Sequence, residues 1–127
     1  VVSALESVGA FSVENRAHDG VPDICTTLGW IELKLASVSK RGSLRVDLRP
    51  AQRIWMRRWS TFGGRAFVIT VCEHPDGLRS WVLSTAPWAS ARLGNCDFEE
   101  LIFESVETWP AEPTRRELIN ALKKGRP

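Results

Sequence analysis

Polar and apolar residues alternate most regularly in Trp30-Ile31-Glu32-Leu33-Lys34-Leu35. In an extended segment successive side chains take opposite faces, so Ile31, Leu33 and Leu35 share one side while Glu32 and Lys34 share the other. Ile24 to Thr27 and Trp30 to Ala36 read as a hairpin turning at Leu28-Gly29, since β-branched and aromatic residues flank a turn that contains Gly. Asp23 opens the first arm and Glu32 sits midway in the second. Pairing across such a hairpin brings the two carboxylates within reach of one ion.

The same patterning places the neighbouring elements. Val1, Ala4, Leu5 and Val8 recur at helical spacing and Gly9 supplies a stop. Phe11 and Val13 suggest a strand running into the loop Ala17-His18-Asp19-Gly20. Ser37 to Leu48 is polar, with Gly42 and three serines, and reads as a flexible basic loop. Leu48-Arg49-Pro50-Ala51-Gln52 opens a helix with Pro50 at its first position, where a missing N–H costs nothing. Ala51, Ile54, Trp55, Trp59 and Phe62 form its predicted buried stripe, Arg53, Arg57 and Arg58 its outer face, and Gly63-Gly64 its end. Ala66 to Cys72 is an apolar strand, and His74-Pro75-Asp76-Gly77 turns into a second arm, Ser80 to Leu83. Pro87 to Leu93 suggests a short helix, Phe98 to Val106 fits strand or helix, and Pro113 to Lys124 reads as a terminal helix. The order predicts an α/β (α+β) domain on a mixed central β-sheet flanked by helices.

Composition narrows this picture. A chain of 127 residues that is 43% hydrophobic holds one core and not two, so residues 1–127 are expected to form a single domain. The net charge of +2 neither requires nor excludes a polyanionic partner. Its distribution says more: basic residues gather from Lys40-Arg41 to Arg58 and again at Arg115-Arg116 and Lys123-Lys124, while acids concentrate between Asp97 and Glu112. Cys25, Cys72 and Cys96 are far apart and lack metal-ligand spacing, which suits reduced thiols. With no signal-like start and no apolar run of membrane length, a soluble cytoplasmic protein without a membrane partner is expected.

Two carboxylates and a lysine are what metal-dependent phosphodiester hydrolysis requires. Hard oxygen ligands hold Mg²⁺ or Mn²⁺, the ion polarises the phosphate and lowers the pKa of a bound water, and an ammonium steadies the developing charge. Asp23 and Glu32 are the side-chain candidates, the backbone carbonyl of Leu33 a third oxygen, and Lys34 the cation. Alone, Glu-x-Lys is an ordinary surface pair. The ordered set is more specific: Gly20-Val21-Pro22-Asp23, a gap of eight residues, Glu32-Leu33-Lys34 in an apolar strand, then the helix opened by Leu48-Arg49-Pro50-Ala51-Gln52.

Across roughly residues 5 to 72 this set resembles the PD-(D/E)XK nuclease superfamily, and within it the small phage and VRR-NUC type group related to Holliday-junction resolvases. The resemblance implies a restriction-endonuclease-like core and a Mg²⁺- or Mn²⁺-dependent endodeoxyribonuclease. The expected function is structure-selective DNA cleavage in a bacterial or phage-infected cell. It matches Asp23 and Glu32 to the metal-binding acids, Lys34 to the catalytic lysine and Gln52 to a polar residue that follows the core. A further acid from the first helix falls to Glu6, with Glu14 the runner-up. Symmetric cutting of two strands implies a homodimer.

Several of these residues carry a plainer reading as well. A Gln at the third helical position, such as Gln52, also satisfies exposed N–H groups at a helix start. Arg16, His18, Lys40, Arg41, Arg45, Arg49 and Arg53 flank the motif and suit phosphate contacts independent of base sequence, although each singly reads as solvated surface. Trp55 and Trp59 fit the core better than a base-stacking surface, whereas Trp88 and Trp109 suggest a subunit contact. Two other classes stay open. A catalytically silent nuclease fold would bind DNA without cutting it, and a protein-interaction domain would use the acidic segment Asp97 to Glu112.

Overall fold

The least polar run of the chain, Ala66 to Cys72, is the centre of the molecule. The computed structural model describes residues 11–12 and 24–125. Within them this run forms most of β5 (Ala66–Glu73), whose first seven residues are all buried. A strand covered on both faces needs no alternation, which is why it reads as continuous apolar sequence. Its neighbour β3 (Gly29–Val38) runs parallel to it from Trp30↔Ala66 to Ser37↔Glu73. Parallel neighbours need a crossover, and α1 (Pro50–Thr61) supplies it.

The remaining strands pair antiparallel. They are β1 (Phe11–Ser12), β2 (Ile24–Thr26), β4 (Leu44–Val46), β6 (Arg79–Thr85) and β7 (Glu107–Trp109). The 7-stranded mixed sheet has the order β1-β2-β3-β5-β6-β7, with β4 paired to the far half of β3. Helices α2 (Ala86–Arg92) and α3 (Phe98–Phe103) join α1 on one face, while α4 (Arg115–Lys124) covers the other. Met56, Val68, Val82, Leu93 and Leu101 form the first apolar layer; Ile31, Phe67, Ile69, Leu83, Leu118 and Leu122 form the second. The expected α+β architecture on a mixed, helix-flanked sheet is therefore present. No helix among the described residues is long and apolar enough to cross a membrane.

Local chemistry sets the boundaries. The β2–β3 hairpin pairs Thr26 with Gly29, and Gly29 is required there. Its φ is +139° and an added Cβ would lie 2.8 Å from the carbonyl oxygen of Arg65, which accepts the N–H of Trp30. The Thr114 hydroxyl accepts the N–H of Glu117, and the Glu117 carboxylate accepts the N–H of Thr114, closing a capping box that starts α4.

The structure departs from the sequence reading at several places. Ser37 to Leu48 is a β-hairpin, with Ala36↔Val46 and Val38↔Leu44 paired. Leu44, Val46 and Leu48 pack into the first apolar layer, and this burial outweighs the turn-like composition. Helix α1 is also rotated relative to the predicted stripe: Gln52 and Met56 are buried, whereas Ile54 and Phe62 are exposed. Trp109 is a core residue at 6% exposure. Trp30, Trp55 and Trp59 form one aromatic cluster, with centroids 5.2 to 6.0 Å apart.

Arg53 turns inward as well. Its guanidinium donates to the carbonyls of Ala89, Ser90 and Leu93, the last groups of α2, and Gly94 leaves room for it, since a Cβ there would meet Nη2 at 2.6 Å. The Ala89 carbonyl also accepts the N–H of Leu93, so the guanidinium matters most for those of Ser90 and Leu93, where intrahelical donors run out. Arg53→Met keeps the aliphatic stem and removes the donors, and is expected to cost about 2 kcal/mol. A urea unfolding midpoint unchanged from the parent would count against this capping role.

Candidate functional site

Glu32 and Lys34 leave β3 on the face covered by α1, and Ile31 and Leu33 leave it on the face of α4. The alternation read from sequence is thus reproduced, with a consequence for burial. Glu32 is 2% exposed, so the carboxylate lies beneath the first turn of α1. The backbone around it is set apart too. Along the β3 edge away from β5, β2 pairs up to Ile31 and β4 pairs from Ala36 onward. The Glu32-Leu33-Lys34 step lies between these two pairings, beside Leu35 at 74% exposure.

Gln52 links helix and strand. Its Oε1 accepts the N–H of Arg49 at 3.0 Å, and its Nε2 donates to Glu32 Oε1 at 2.7 Å. One side chain thus satisfies an N–H at the helix start and hydrogen-bonds the Glu32 carboxylate. Arg49 itself, the N-cap residue, is exposed above this contact. Lys34 Nζ stands 3.5 Å from the same Glu32 oxygen, with 15% of its side chain exposed against 3% for Glu32. Charge pairing and the hydrogen bond together offset the cost of burying this carboxylate.

The other sequence candidates separate into groups. Glu6, Glu14, Arg16, His18 and Asp23 lie outside the described residues. Asp23 is bonded to Ile24, which pairs with Ile31, the neighbour of Glu32. Lys40 and Arg41 are exposed in the β3–β4 turn. At a rise of about 3.3 Å per residue, that turn lies beyond Val38, itself roughly 13 Å from Lys34. Arg45 pairs with Ser37, which puts it on the sheet face opposite Glu32. Arg53, occupied with the end of α2, is structural. Of the described basic set, Arg49 is linked to the Glu32 carboxylate through Gln52, by its backbone N–H.

Two residues on the Glu32 face carried no sequence signal. Thr70 and Ser84 are both fully buried, and neither hydroxyl has a hydrogen-bond partner among the described residues. Thr70 is hidden inside the apolar run Ala66 to Cys72, where a single hydroxyl does not disturb the pattern. Register puts Thr70 beside Lys34 and puts Val68 between Glu32 and Ser84. Cys72, next on this face, is a free thiol that burial, reinforced by nearby Cys96, pushes up to about 12. It therefore stays protonated and is no nucleophile at neutral pH.

The donor chemistry fits a hard divalent cation in part. Glu32 contributes one buried carboxylate, and among the described residues no group of three His, Cys, Asp or Glu side chains converges. Asp23 and the other acids that the sequence offers for a Mg²⁺ or Mn²⁺ set lie outside the described residues. Comparison with protein-family models, curated proteins and solved structures found no match to this chain.

Proposed function

We propose that this chain is a metal-dependent DNA endonuclease that hydrolyses phosphodiester bonds and selects branched DNA, in the manner of the resolvase-related nucleases its motif resembles. One observation carries the reading. A carboxylate at 2% exposure is held beneath α1 by a Gln52 hydrogen bond of 2.7 Å, with a Lys34 ammonium at 3.5 Å, on the strand whose hairpin partner begins next to Asp23. Carboxylates are rarely buried without a task, because the desolvation cost is large.

In this reading Glu32 and Asp23 hold the ion, with the Leu33 carbonyl as a further oxygen. A bound Mg²⁺ or Mn²⁺ would supply Lewis-acid polarisation of the phosphate and a more acidic water. Gln52 fixes the Glu32 carboxylate, and Lys34 places positive charge where negative charge develops on the phosphate. Arg49, linked to the carboxylate through Gln52, and Lys40 and Arg41, further along, meet the DNA backbone without reading bases. Arg45 serves a strand passing the other face. Two copies acting on a branched duplex make a homodimer the working assembly, and the cytoplasm of a bacterial or phage-infected cell the working compartment.

A catalytically silent DNA-binding module is the second reading. The closeness of Lys34 to Glu32 favours it, since a neutralised buried pair needs no cation. One experiment separates the two: linear duplex, single-stranded, flap and four-way-junction DNA are incubated with Mg²⁺, Mn²⁺ or chelator, and light scattering reports the assembly. The nuclease reading expects branched DNA to be cut with either metal, no cutting in chelator, and a dimer. Binding in all conditions without a cut would establish the silent module. Cutting in chelator would overturn the mechanism.

A further inference from the structure

We propose that the outer face of α1 is a docking surface for unpaired DNA, on which Phe62 stacks against an open base and Arg57 and Arg58 hold the adjoining phosphates. The face is a helical stripe. Pro50, Ile54, Arg57, Arg58 and Thr61 are all exposed, at the spacing of one side of a helix, and Phe62 closes the stripe at 88% exposure. Gln52 and Met56 supply the buried side, so core packing does not account for Ile54 and Phe62. Large apolar side chains that share a stripe, rather than lying scattered, mark interaction sites.

Charge identifies the partner. Neither α1 nor α2, packed beside it, contains an acidic residue. Of their arginines, Arg53 caps the end of α2 and Arg92 is paired with Glu100. Among the described residues the guanidinium groups of Arg57 and Arg58 have no hydrogen-bond or ion-pair partner. A second copy docked here about a twofold axis would bring arginines together with no carboxylate between them. A polyanion meets no such conflict, and arginine beside an aromatic ring is the combination that tracks a single strand, one for the backbone and the other for the bases.

Phe62 sets which DNA is preferred. Its N–H donates to the carbonyl of Arg58, which ties its backbone to the last helical turn. The next residue, Gly63, has a φ of +84°, and an added Cβ there would meet nothing within 4 Å. The ring thus stands on a held backbone with open space beside it. Four residues separate Arg58 from Phe62, about 6 Å along the axis, comparable to the reach from a nucleotide's phosphate to its base. Within a duplex each base face is covered by its neighbours. Single strands and open branch points offer free faces, so the ring favours them over linear duplex.

This inference rests on DNA as the partner, which the nuclease and silent-module readings share, and not on cleavage. Binding is therefore measured by fluorescence anisotropy in chelator, on linear duplex, single-stranded and four-way-junction DNA. The proteins are the parent, Phe62→Ala, Phe62→Trp, the double variant Arg57→Ala/Arg58→Ala, and a control, Arg115→Ala/Arg116→Ala, from the exposed start of α4. Phe62→Ala is expected to weaken single-strand and junction binding about tenfold and duplex binding less than about twofold, with Phe62→Trp restoring the parent pattern. The double arginine variant should weaken all three and lower the slope of log affinity against log salt by about 1.5. The control should change neither. Phe62→Ala binding like the parent, or losing duplex and junction equally, overturns the proposal, as does a control that matches the double variant. Loss of a dimer in Phe62→Ala at parental DNA affinity assigns the face to a second copy and overturns it too. A parent that shows the expected binding pattern but cuts nothing in Mg²⁺ sustains the surface and removes the nuclease reading alone. A parent that cuts while its variants bind unchanged does the reverse.

Discussion

On the proposed nuclease function, Glu32→Gln is expected to lower metal-dependent cleavage by about 10³-fold, since loss of a charged ligand would remove several kcal/mol of transition-state stabilisation. Lys34→Met should reduce cleavage to a similar extent. The two should differ in stability, for a reason visible in the geometry. Glu32 has 3% of its side chain exposed and Lys34 has 15%. Without the carboxylate, the lysine stem can turn its ammonium toward water. Without the lysine, the carboxylate stays beneath α1 and loses the ammonium 3.5 Å away. Lys34→Met is therefore expected to cost about 3 kcal/mol, and Glu32→Gln clearly less. Urea unfolding of both variants beside the cleavage assay checks this pair. Parental cleavage by Glu32→Gln would remove Glu32 from the mechanism, and the opposite order of stabilities would refute the buried-charge account.

That asymmetry belongs to the part of the chain most readable in advance. Alternation over Ile31 to Leu35 is a backbone property, so the facing of Glu32 and Lys34 follows from sequence order alone. The hairpin to Ile24 follows from its turn, with its corner at Thr27-Leu28, one residue earlier than the glycine suggests. What could not be read is the depth of burial, because that depends on where α1 settles. Gln52 reads from sequence as a helix-start cap or a polar site residue, and either reading leaves open that it turns inward to Glu32. The helix rotates accordingly, burying Met56 and leaving Ile54 outside. Arg53 looks like outer surface for the same reason: the carbonyls it caps belong to α2, more than thirty residues later. Ser37 to Leu48 hides a hairpin because its apolar residues are few and separated by serine, arginine and glycine. Tertiary partners decide each of these positions, and local propensity carries no record of them.

Phe67→Ala should have the largest effect on stability, about 4 kcal/mol, or roughly 15 °C in Tm. Phe67 is fully buried near the start of β5, on the face opposite Glu32. Its ring also organises how α4 is held. The Arg65 guanidinium lies 5.5 Å from the ring centroid and donates to the carbonyls of Leu122 and Gly125 at 2.6 and 2.5 Å. Gly125 sits so close that an added Cβ would meet the ring at 2.9 Å. Losing the ring should therefore loosen α4 before the rest of the sheet, and native-state hydrogen exchange should show the amides of Leu118 to Lys124 opening faster than those of β5. Glu32, Lys34 and Gln52 lie across the sheet, where Val68 and not Phe67 is the neighbour of Glu32. Below the new Tm, cleavage per folded molecule should stay within about twofold of the parent. A large drop in cleavage by fully folded Phe67→Ala would mean that the α4 face is coupled to the site through the sheet. Uniform exchange across α4 and β5 would mean that the helix and the sheet open as one unit.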